Sequence, residues 1–117
     1  MTMAKFASAF PLLPGKLDAW RKFTQEMAGP RKQEHDESRR RLGLTIEMAW
    51  YQPTPHGDLV VVYGEADDVA GFFTRLAASQ EPFDVWFKQQ VKEWHGVDFN
   101  QPPPGPLPEL AFDYHRQ

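Results

Sequence analysis

The chain has 117 residues, no cysteine and a formal net charge of −3. That composition excludes disulfides, thiolate catalysis and cysteine-bound zinc or iron–sulfur centres. It also argues against a nucleic-acid partner, which needs a basic face for phosphates. The length suits one domain, and 41% apolar residues can build its core. Nine Phe, four Trp and three Tyr exceed what so small a core needs, so rings are also expected at an interface or a ligand wall. Met1 to Phe10 holds one Lys and no long apolar block, so no signal peptide is read there. No apolar stretch approaches the length of a membrane span. The expectation is a soluble, cytoplasmic protein without a membrane or nucleic-acid partner.

Two-residue alternation from Lys5 to Phe10 predicts a first strand, stopped by Pro11 and Pro14-Gly15. Leu17 to Leu42 carries helical spacing, with a kink or break at Gly29-Pro30. Gly43 follows three arginines and reads as the residue that closes the helix. Leu44 to Tyr51 and Leu59 to Glu65 predict two strands of a hairpin around Pro53 to Asp58. Asp67 or Asp68 caps a helix to Ala78, and Pro82 opens another that ends at His95-Gly96. Gln101 to Pro108 reads as a polyproline-like linker, and Leu110 to Tyr114 alternates again as a fourth strand or an arm. The order is strand-helix-strand-strand-helix-strand, an α+β ferredoxin-like βαββαβ sheet with helices on one face. Residues 1–100 form that domain and residues 101–117 its Pro-rich linker and last strand or arm. Leu59 to Tyr63 is apolar without alternation, the mark of a strand buried on both faces. A second copy would cover the outer face, so a homodimer is expected.

Gly29-Pro30-Arg31, Ser38 to Gly43, Pro82 to Phe87 and His95 to Asp98 resemble segments of small bacterial proteins of unknown function. Over about residues 4–99, the element order resembles the dimeric α+β-barrel superfamily. That superfamily includes antibiotic-biosynthesis monooxygenases, stress-responsive A/B-barrel proteins, small polyketide cyclases and haem-degrading proteins. The resemblance implies two ferredoxin-like sheets facing each other across a two-fold axis. None of the superfamily's catalytic motifs maps here residue by residue, and there is no helical His-rich pattern of haem degradation.

From Ala28 to Arg41 there is no large apolar residue, yet the face begun by Leu17, Trp20 and Met27 continues through Arg31, His35 and Ser38 to Leu42. Either this face lines a polar-floored pocket, or the helix swings into solvent after Gly29-Pro30. In the pocket reading His35 is a base, and Arg31 or Arg39 steadies an anion. Glu47, in mid-strand, is a general base or a clamp for His35 or an arginine; the plainer reading is a structural ion pair. Trp50 and Tyr63, with Tyr51, offer a flat wall for an aromatic substrate, or serve packing at the core and dimer interface. His95 at a helix C-terminus is first a favourable dipole partner and ranks below His35. No metal-ligand spacing and no Gly-rich phosphate loop occur, so no metal and no nucleotide cofactor is expected. The functional expectation is a small-molecule-binding protein that acts, if it is an enzyme, by cofactor-independent proton abstraction. Cyclisation, isomerisation or monooxygenation of an aromatic or polyketide-like substrate would follow. The alternative is a non-catalytic homodimeric binding or interaction protein.

Overall fold

The computed structural model describes residues 4–101 and 105–117. Among these residues seven elements follow one another: β1 (Ala4–Leu12), α1 (Leu17–Ala28), α2 (Lys32–Leu42), β2 (Leu44–Gln52), β3 (Asp58–Ala66), α3 (Val69–Ala78) and α4 (Pro82–His95). The expected helix across residues 17–42 is two helices, because Pro30 cannot donate to the helical ladder and Gly29 departs from helical geometry. Gly43 and Gly96 end α2 and α4 in the left-handed region, with φ of 84° and 69°.

The three strands form one antiparallel sheet in the order β1-β3-β2. This corrects the ferredoxin-like βαββαβ expectation, which required a fourth strand. Residues 105–117 have no regular structure, and Leu110, Phe112 and Tyr114 are exposed, Phe112 at 82%. Pro102 to Pro104 of the expected linker lie outside the described residues. Pro106 and Pro108 lack the N–H a ladder needs, and the segment from Gly96 to Phe99 already lies beside Ser8 to Pro11 at the β1 edge. Leu110 to Tyr114 accordingly pair with no strand of the sheet.

The sheet is open, so the dimeric α+β barrel is corrected as well, and among the described residues nothing supports the expected homodimer. The helices pack on one face of the sheet. Phe6, Leu12, Leu44, Val60 and Ala66 point into the core, where Trp20, Phe23, Phe72, Leu76, Phe83 and Phe87 meet them. On the other face Val61 and Tyr63 of the central strand are half-buried, and Asp113 of the C-terminal segment lies near enough to Tyr63 to act on its charge. Trp50 pairs with Val61 and Met48 with Tyr63 there. The apolar run of β3 therefore reflects a central strand flanked on both sides, not a surface hidden by a second sheet.

One irregularity decides which side chains face the helices. Leu44 pairs with Ala66 and Ile46 with Glu65, so Thr45 is an extra residue in β2. Beyond this bulge Glu47, Ala49 and Tyr51 oppose Gly64, Val62 and Val60 on the inner face. Ile46, Met48 and Trp50 turn outward, Trp50 at 52% exposure.

Candidate functional site

Three features meet under the helices: a buried polar network, an apolar cavity and a surface cleft. The network begins on α2. Ser38 and Arg39 are buried there with Leu42, so α2 stays packed and does not swing into solvent. Arg39 donates through Nε to Glu47 Oε1 at 2.9 Å and through Nη2 to Oε2 at 3.1 Å, a two-pronged clamp. His35 Nε2 shares Glu47 Oε1 at 2.8 Å. Burial pushes the Glu47 carboxyl up, but the Arg39 charge and the bonds from His35 and Arg39 outweigh it and hold the group at about 2. Arg39 also lies over the Phe87 ring, 4.3 Å from its centroid, and donates through Nη1 to Ser38 Oγ at 3.0 Å.

The network continues into α4. The Ser38 hydroxyl donates to Asp84, which has no exposed surface. Asp84 Oδ2 accepts from Ser79 Oγ at 2.5 Å and from Arg41 Nη2 at 3.2 Å. Burial raises the Asp84 carboxyl, and the bonds from Ser38, Ser79 and Arg41 more than offset it, leaving it below its ordinary range. Lys88 donates to the carbonyls of Ala77 and Ser79, tying α4 to the end of α3.

The cavity, about 90 Å³, lies between the inner sheet face and α1, α3 and α4. Its walls are apolar and largely aromatic, among them Phe6, Phe10, Phe23, Phe72, Phe73 and Phe99. Gly64 helps to shape it, since a Cβ there would collide with the Phe6 ring. Polar groups reach its lining from Thr24, Glu47 and His95 and from the indole N–H of Trp20. Thr24 Oγ1 donates to the Arg21 carbonyl at 2.8 Å. His95 Nδ1 donates to the Pro11 carbonyl at 2.8 Å. Burial pushes the imidazole pKa down, only partly offset by that carbonyl, so the neutral ring is favoured. Glu47 also lines the cleft, about 160 Å³, together with His35, Arg39 and Arg40.

The sequence-derived site residues are thus divided. His35, Arg39 and Glu47 come together. Arg31 stands apart, stacked over Trp86 at 4.1 Å and near Glu34. Trp50 and Tyr63 are on the opposite face of the sheet, where the Tyr63 hydroxyl donates to Glu65 at 2.6 Å. That bond and burial raise the phenol's pKa. His95, ranked second among the histidines from sequence, reaches the cavity instead. The signal for it was the Phe10-Pro11 pair, which leaves a carbonyl free at the sheet edge, and that is legible only once β1 is known to be an edge strand.

Among the described residues no group of three or more His, Asp or Glu side chains converges as a metal site, and no helix is long and apolar enough to cross a membrane. No protein-family model, curated protein or solved structure matches the chain. The resemblance to the dimeric α+β-barrel superfamily and to small bacterial proteins is corrected on this ground and on the open three-stranded sheet, and its monooxygenase-like chemistry goes with it.

Proposed function

We propose that the protein binds a compact, largely apolar small molecule, of the order of one aromatic ring, between the inner sheet face and the helices. The carrying observation is the cavity of about 90 Å³ with its aromatic walls. Protein interiors close most voids larger than a water molecule. A small apolar ligand would cover these apolar walls, and few convergent polar groups are what such sites carry. Methyl NMR of Leu44, Val60, Val62 and Leu76 during titration with toluene or indole tests the reading. Shifts confined to these methyls, with a raised Tm, are expected. No shift for any one-ring compound would remove it.

A second reading is favoured by the cluster at the cavity wall: a cofactor-independent enzyme that removes a proton next to a carbonyl, leading to cyclisation or isomerisation. In it His35 is the proton carrier. Glu47, ionised at about 2 with both oxygens engaged, serves as the clamp that orients His35 and Arg39 more readily than as a base.

A further inference from the structure

The ligand class at this cavity can be narrowed, on the assumption that the binding reading above holds. Among the polar lining groups the Trp20 indole N–H and one ring nitrogen of His95 make no hydrogen bond within the described residues. The Thr24 hydroxyl gives its proton to the Arg21 carbonyl, and both Glu47 oxygens accept from Arg39, one of them from His35 as well. His95 is 7% exposed, and a carbonyl can only accept, so its Nδ1 carries the proton donated to Pro11. Its Nε2 has no hydrogen-bond partner among the described residues. It is also not sealed off, because Trp94 Nε1 is the one fully buried side-chain polar atom left unpartnered among those residues. A neutral imidazole held in this tautomer offers a lone pair and no proton at Nε2. The ring stands against Phe10, centroids 5.6 Å apart, at the aromatic wall.

We propose that the cavity takes a compact aromatic or enolic molecule bearing a hydroxyl, and that this hydroxyl donates to His95 Nε2. An ether or ketone oxygen has no proton to give Nε2, and a bare hydrocarbon leaves Nε2 unpaired. The guanidinium nearest the wall, Arg39, is already neutralised by Glu47, so the ligand binds as the neutral hydroxyl form and not as a phenolate.

The test compares toluene, anisole and phenol on the whole chain by calorimetry, with the His95 ring nitrogens followed by 15N NMR. All three are expected to bind, phenol about tenfold tighter than anisole. The His95 Nε2 resonance should move with phenol and stay still with toluene. In a plain apolar hole the order reverses, because desolvating the hydroxyl disfavours phenol. Toluene binding without a preference for phenol, or a preference without movement of Nε2, would overturn the assignment while leaving the binding reading intact. Failure of all three to bind would overturn both. In His95→Phe, which keeps the wall aromatic, phenol should no longer bind tighter than anisole; a retained preference would overturn the assignment. The wild-type comparison decides the matter if that variant does not fold.

Discussion

Replacing Glu47 by Gln isolates the charge at the centre of the polar network while preserving its shape. Arg39, with its side chain 7% exposed, would lose the anion that compensates it. The magnitude follows from the carboxyl itself, which ordinarily titrates at 4.5 and in the fold is held at about 2. That gap of about 2.5, at about 1.4 kcal/mol for each tenfold in proton affinity, makes the ionised form worth about 3 kcal/mol to the folded state. Because the folded value is the lower one, the contribution is present above about pH 4.5 and is lost as pH falls towards about 2. Urea unfolding of both proteins from about pH 7 to about pH 2.5 reads this directly. The variant should be less stable by about 3 kcal/mol at neutral pH, and the two curves should draw together in acid, as protons taken up by the unfolded wild-type carboxyl cancel the advantage of its ionised folded form. A difference of constant size across the range, or none at neutral pH, would refute the clamp as the source of stability.

Two further outcomes follow from the packing. Asp84→Asn leaves Arg41 without its counter-ion and disturbs Ser38 and Ser79 in a fully buried site, so a loss of about 2 kcal/mol is expected in thermal or urea unfolding. Its folded carboxyl also lies below the ordinary range, so the difference should shrink as pH drops below about 4. Gly64→Ala places a methyl into the Phe6 ring and close to the Ile46 carbonyl in the central strand; a loss of about 1–3 kcal/mol is expected by calorimetry.

Much of the fold was legible because changes of hydrophobic period are local. The three core strands, the break at Gly29-Pro30 and the glycine stops at Gly43 and Gly96 all follow from near neighbours in sequence. What failed depended on distant partners. Leu110 to Tyr114 alternates like a strand, but alternation states only which side chains share a face and supplies no edge to pair with. The apolar run in β3 was read as a strand covered on both faces by other layers. It is equally the pattern of a middle strand whose outer side chains are half-buried beside Met48 and Trp50. At the site, the meeting of His35, Arg39 and Glu47 could be framed from helix phase and strand position. The division of Trp50 and Tyr63 from that group could not, because it depends on which face of the hairpin the helices cover. The place of His95 is not legible in the sequence because its partner, the Pro11 carbonyl, is 84 positions away.

The extra residue at Thr45 has a genetic consequence. The residues on either side of it already alternate, Leu44 with Ala66 and Ile46 with Glu65, so an in-frame loss of that codon would close the bulge and leave every other side chain of β2 on its own face. Loss of one residue between Ile46 and Trp50 would instead break the alternation and turn outward side chains beneath the helices. A library of one-residue deletions across β2 should therefore find Thr45 its most tolerated site.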